Sequence, residues 1–185
     1  MPENQNRPRA YAFIDSQNLN LGIQKMGWKM DWRKFRQFLK DHYNVERAYM
    51  FIGYVAENVP MYEQLHESGY LIVLKRTLEV KAQEEDRPKN GDQKTLVKGN
   101  IDAELVLWAM KEIPNYDKAI IVSGDGDFSA LAEYLEQQKK LAHIMVPNWQ
   151  FSSLLKEFEP YIIRLDKLRR ELAYRDRKKF APKKA

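Results

Sequence analysis

Ile120-Ile121-Val122-Ser123-Gly124-Asp125-Gly126-Asp127-Phe128 reads as a buried strand that ends in a tight turn. β-Branched apolar residues favour a strand, and from Phe128 to Leu135 the spacing becomes helical. In an open parallel sheet, ligands bind outside the carboxyl ends of the strands, and here two aspartates stand at such an end. Gly124 and Gly126 are expected to let the backbone turn sharply enough for both carboxylates to face one point. A purely local account stands beside this one, with Asp127 as the helix N-cap and Asp125 as a turn residue.

Working outward, Ala10-Tyr11-Ala12-Phe13-Ile14 is a second apolar run, closed by Asp15-Ser16-Gln17-Asn18. Asp15 holds the same kind of place as Asp125, and Asn18 reaches the same point if a helix begins here. Trp32, Phe35, Phe38 and Leu39 share one face of a helix over 32–43, with Asp31 as its N-cap. Further strands are expected within 45–55 and over 70–74, 119–122 and 141–146, with an edge strand at 161–163. Further helices are expected over 61–68, closed by Gly69, and over 100–110, with Ile101, Leu105, Trp108 and Met110 facing in. A short helix over 151–158 and a terminal helix from Asp166 complete the series. Strands alternating with helices imply right-handed βαβ crossovers. The expected fold is therefore a three-layer α/β/α sandwich around a mainly parallel sheet. Between Lys75 and Gly99 the pattern stops, and a long basic segment that includes Arg76 and Lys98 reads as a substrate-contacting arm or a solvated insertion.

Asp15, Asp102, Asp125 and Asp127 each fall at a strand's carboxyl end or a helix's amino end. If strands one and four are neighbours, Asp15 and Asp125 flank the point where the strand order reverses. Carboxylates crowded together raise one another's pKa unless a cation neutralises them. An all-oxygen donor set suits Mg²⁺ or Mn²⁺, ions that bridge to substrate phosphates. The chemistry that follows is metal-assisted hydrolysis of a phosphodiester. Asn18 and Ser123 would position phosphate oxygens or water, and Lys98 and Arg76 would offset substrate charge.

Three stretches together resemble the signatures of the NYN domain, a PIN-like nuclease group, and are most similar to its LabA-like branch. They are Asp15-Ser16-Gln17-Asn18, Lys98-Gly99-Asn100-Ile101-Asp102 and Ser123-Gly124-Asp125-Gly126-Asp127-Phe128. The resemblance spans about residues 9–165 and implies a strand order of 3-2-1-4-5. It also implies a divalent-metal-dependent ribonuclease acting on RNA, expected to be single-stranded. The family's acidic site carries over to Asp15, Asp102, Asp125 and Asp127, with Asn18 as polar partner. A further acid that some members carry about six residues after the Asp102 equivalent is Trp108 here, and Glu104 is the nearest substitute.

Composition bounds the rest. A chain of 185 residues with 44% hydrophobic content suits one domain with a real core. Residues 1–8 are expected to be disordered, 9–165 to form the domain and 166–185 a basic helix and tail. The absence of cysteine excludes disulfides and thiolate metal sites and fits a reducing, cytoplasmic setting. Apolar runs are too short for a membrane span. From Asp166 onward nine Lys and Arg face three acids, a balance suited either to neutralising phosphates or simply to solubility. Whether the chain forms a homodimer is left open.

Three other readings compete. The same fold acting as a catalytically silent RNA-binding scaffold is the first. A phosphatase is the second, although phosphoaspartate enzymes need Asp-x-Asp after the first strand, where this chain has Asp15-Ser16-Gln17. The third is a partner-binding module that uses the basic tail. Trp149 and Phe151, after strand five, are the best candidates for stacking on bases. Trp28, Trp32 and Trp108 read as packing residues, and His42, His66 and His143 show no zinc spacing.

Overall fold

A computed structural model describes residues 7–75 and 101–175. Arg76, Lys98 and the remainder of the expected arm, with residues 1–6 and the end of the basic tail, lie outside the described residues. The elements in chain order are β1 Ala10–Asp15, α1 Ser16–Lys25, α2 Trp32–Tyr43, β2 Val45–Gly53, α3 Val59–Glu67 and β3 Leu71–Lys75. They continue with α4 Ile101–Lys111, β4 Lys118–Val122, α5 Ser129–Gln137, β5 Leu141–Val146, β6 Ile162–Arg164 and α6 Arg169–Leu172.

β1 is buried along its whole length, because the sheet order β3-β2-β1-β4-β5-β6 gives it a neighbour on both sides and helices cover both faces. Every neighbouring pair is parallel. The order is the expected 3-2-1-4-5, extended by the edge strand β6. Ile14 is in register with Met50 on one side and Val122 on the other, so β1 and β4 end at the same level.

Side chains alternate across a strand, and β1 divides the core accordingly. Ala10, Ala12 and Ile14 join a cluster with Leu19 and Ile23 of α1, Phe35 and Leu39 of α2, Leu65 of α3 and Leu172 of α6. Tyr11 and Phe13 point the other way, to Leu105 and Ala109 of α4 and Leu131 and Leu135 of α5. Each fully buried side chain of this size contributes about 1.5–3 kcal/mol.

Several boundaries differ from expectation. α3 begins at Val59 rather than Met61, with Pro60 in its first turn, where the missing N–H costs nothing. In α4 the buried positions are Ile101, Leu105 and Ala109, while Trp108 is half-buried against Tyr49 (ring centroids 5.3 Å) and Met110 is exposed. The segment after β5 forms a 3₁₀ helix, Ser153–Tyr161, kinked at Phe158. Pro160 removes a donor and disfavours helical geometry in the residue before it.

The expected terminal helix is one 3₁₀ turn, Leu165–Leu168, followed by the single α turn of α6. The chain then docks beside the start of α2. Asp31 N–H donates to Leu172 O at 2.8 Å, Tyr174 N–H donates to Lys29 O at 2.9 Å, and Ala173 pairs with Met30 in an antiparallel bridge. Leu165 and Leu172 are fully buried. This part of the basic segment therefore belongs to the core. At the other end, the side-chain amide of Asn44 donates to the carbonyls of Arg7 and Pro8.

Candidate carboxylate site at the strand ends

Asp15 follows Tyr11 and Phe13 on the α4/α5 face of the sheet by simple alternation, and Ser123 follows Ala119 and Ile121 on the same face. The shared level of the strand ends brings the two together, and Ser123 Oγ donates to Asp15 Oδ2 at 3.1 Å. Asp15 Oδ1 accepts the Asn18 N–H at 3.0 Å and so caps α1. Asn18 Oδ1 in turn accepts the Gly124 N–H at 2.8 Å. The turn after β1 and the turn after β4 are thus stitched together by side chains from both.

The stitching continues outward from Ser123. Its hydroxyl oxygen accepts the Asp125 N–H at 3.1 Å, and Asp125 Oδ1 accepts the Asp127 N–H at 3.1 Å. Asp125, not Asp127, is the cap of the turn that leads into α5. Gly124 and Gly126 do not adopt a left-handed backbone. Close approach requires them instead: a Cβ on Gly126 would lie 2.3 Å from Ser152 Oγ, and one on Gly124 would lie 3.3 Å from Pro147 and Phe151.

Electrostatics links the fourth aspartate. Asp102 lies in the first turn of α4, on the face of the sheet that carries Asp15. Burial pushes its carboxyl up from the ordinary value, and the charges of Asp15, Asp125 and Asp127 add to the shift. Asp15, only 5% exposed, is also raised. Burial is the main cause and the charge of Asp125 contributes, against the lowering by the Asn18 N–H and the Ser123 hydroxyl. Asp102 thus feels the charges of the other three aspartates and Asp15 that of Asp125, and together they make this end of the sheet a negatively charged focus.

The profile of the NYN domain family matches residues 9–166, a span that contains all four aspartates and both stitched turns. The chain belongs to the NYN domain family. It is 28% identical over 146 residues to the low amplitude and bright protein LabA of Synechococcus elongatus, covering 76% of this chain and 74% of that protein. Among solved structures it is similar to a Vibrio parahaemolyticus protein of unknown function, with a TM-score of 0.64 and 22% identity. That likeness covers 94% of this chain and 100% of the other, and it concerns the fold alone.

Within this NYN domain, the all-oxygen donor chemistry of the four aspartates is of the kind that suits a hard divalent cation. The side chains are not gathered into a cage. Among the described residues, no three His, Asp or Glu side chains stand close enough to hold a metal ion. Glu104 is engaged elsewhere, by Lys75 Nζ at 3.0 Å. Trp108 sits nearly two turns along α4 from Asp102, packed on Tyr49 and capped by Lys111 Nζ, 4.8 Å from its ring centre.

Other residues surround the focus. On the β5 side a small polar recess is lined by Asn18, Lys25, Gly124, Asn148 and Gln150. Asn148 is buried and braces this recess: its Nδ2 donates to Gly22 O at 2.8 Å and its Oδ1 accepts the Gln150 N–H at 2.7 Å. Sequence reading missed Asn148, and the only signal was a polar residue directly after a buried strand and a proline. Trp149 beside it is 58% exposed, whereas Phe151 packs partly into the core. Trp28 is buried, and among the described residues no histidine joins a metal-binding group. No helix among them is long and apolar enough to cross a membrane.

Proposed function

We propose that this NYN domain protein is a divalent-metal-dependent ribonuclease that hydrolyses phosphodiester bonds in single-stranded RNA. The observation that carries the reading is the joining of the turns after the adjacent parallel strands β1 and β4, where Ser123 and Asn18 tie Asp15 to the turn that holds Asp125 and Asp127, with Asp102 opening α4 on the same face. Family membership supports it. Asp15, Asp102, Asp125 and Asp127 would hold Mg²⁺ or Mn²⁺, with Asp15 and Asp125 foremost. When bound, the ion supplies charge stabilisation at the scissile phosphate and acidifies a water.

The chain's own residues do the rest. Ser123 and Asn18 fix the Asp15 carboxylate through both oxygens and leave further lone pairs for a ligand. Asn18 also carries an NH₂ group suited to a phosphate oxygen. Asp102, at the start of α4, and Asp127, in the turn before α5, would hold the ion directly or through water, or one of them would orient the attacking water. Arg76 and Lys98 would offset substrate charge, and the basic C-terminal segment would add long-range attraction for RNA.

Cleavage of an end-labelled single-stranded RNA tests this. Cleavage should require Mn²⁺ or Mg²⁺, stop in chelator and fall at least about 100-fold in Asp125→Asn, the scale of losing a preorganised charge-stabilising group. The scattered placement of the carboxylates favours a second reading, a regulatory RNA-binding scaffold. RNA retention without turnover under any divalent ion would select that reading. Release of inorganic phosphate from mononucleotides without cutting of RNA would select a phosphatase.

A further inference from the structure

A pocket of about 330 Å³ opens beside the carboxylates over the carboxyl end of β2, between α1 and α3. Ser16 and Gln17 line it and directly follow Asp15. Ile101 lines it and directly precedes Asp102. The pocket and the aspartates therefore share the carboxyl end of the sheet, with Ser16, Gln17 and Ile101 as the chain links between them.

The chemistry of the walls identifies that occupant. In a chain with 31% charged residues, none of the described residues lining the pocket is charged. Among the described residues a phosphate has no counter-charge there, whereas a neutral ring that meets hydrogen-bond partners loses far less on leaving water than a charged group does. Trp32 and Met61 supply aromatic and polarisable surface, the kind that packs on flat π systems. Gln17, Asn20 and Asn58 place side-chain amides around the rim, and each amide both donates and accepts. Asn20 Oδ1 already accepts from Gln24 Nε2 at 3.3 Å, which turns its donors toward other partners. The volume lies at the lower end of small-ligand pockets, roughly 300–1,000 Å³.

We propose that this pocket receives one unpaired nucleobase of the RNA, next to the scissile phosphate. The proposal rests on the ribonuclease reading for the identity of the polymer. A paired and stacked base must be extruded before it can enter, so the pocket makes the site selective for single-stranded RNA. The amides at its rim give preference among bases.

The test compares two fluorescein-labelled hexanucleotides, oligoadenylate and the same ribose-phosphate chain with every base removed. Binding is read by anisotropy on the full-length protein in chelator at fixed salt. The wild type should bind the RNA with bases about tenfold more tightly, the scale of one stacked base. Met61→Trp, at a position 41% exposed, fills the pocket from its mouth and should erase that ratio. Asn58→Ala should reduce the ratio and shift the preference between oligoadenylate and oligouridylate. Equal binding of the two chains by the wild type, or a ratio untouched by Met61→Trp, overturns the pocket. A ratio that survives beside a complete lack of metal-dependent cleavage upholds the pocket and defeats the nuclease. Cleavage indifferent to the missing bases does the reverse, and no binding of either chain defeats the pocket.

Discussion

Ser123 and Asp15, 108 positions apart in the chain, meet at 3.1 Å with the hydroxyl donating to the carboxylate. The same oxygen accepts the Asp125 N–H, so one buried hydroxyl ties together the two strand ends and the turn that carries two further acids. Ser123→Ala leaves a buried carboxylate oxygen and a backbone N–H without this partner, at a cost of about 1–3 kcal/mol. A chain of this size loses roughly 2–4 °C per kcal/mol. Thermal melts should therefore show a drop of several degrees, and an unchanged melting temperature would mean the hydroxyl is dispensable.

Gly126 faces Ser152 so closely that an added methyl group would lie 2.3 Å from Ser152 Oγ and 3.0 Å from Leu154 Cδ1. Overpacking of this kind costs about 1–3 kcal/mol. Gly126→Ala should be destabilised, and Ser152→Gly introduced with it should restore much of the loss. Denaturant midpoints of the two single variants and the double variant form a cycle, and additive losses would rule out the contact as the cause.

Asp102 provides the pH-dependent case. Its folded pKa is raised above the ordinary 3.8 by burial and by three neighbouring carboxylates. The folded state therefore binds more protons than the unfolded state in the window above 3.8. Stability declines as pH rises through that window, and the penalty is fully present at neutral pH. Asp102→Asn should be more stable than the wild type at neutral pH in chelator, by up to about 1 kcal/mol after allowing for solvent screening. The difference should vanish below about the unfolded pKa. A gain that persists in acid would point to packing instead of charge.

The amphipathic and apolar periods made much of the fold legible. α2 over 32–43 with its Asp31 cap and β5 over 141–146 match the structure in their bounds, since each has a sharp local signal. The position of Asp15 and Asp125 at strand ends was legible for the same reason, as apolar runs that stop at an acid. What joins them was not: the bonds from Asn18 to Gly124 and from Ser123 to Asp15 depend on the adjacency of β1 and β4. Gly124 and Gly126 were assigned to turn flexibility, whereas space is what they provide. Gln17, Asn20 and Asn58 carry no motif, and only the meeting of α1, β2 and α3 gathers them. Charge counting also hid Leu165 and Leu172, two buried leucines inside a segment that reads as a solvated tail.

That last point is measurable. Leu172 is fully buried, at the end of a one-turn helix far too short to be stable alone. It holds the C-terminal segment onto α2, where Asp31 N–H and Lys34 Nζ donate to the carbonyls of Leu172 and Ala173. Leu172→Ala should cost about 2–5 kcal/mol, read as a fall in the denaturant midpoint with little change in slope. A variant with Lys167, Arg169 and Arg170 changed to Gln should keep that midpoint within about 1 kcal/mol, because surface charges contribute little to folding. It should also flatten the salt dependence of RNA binding. If Leu172→Ala melts like the wild type, the segment is an appendage after all. If the triple variant retains the full salt slope, its charge serves solubility alone.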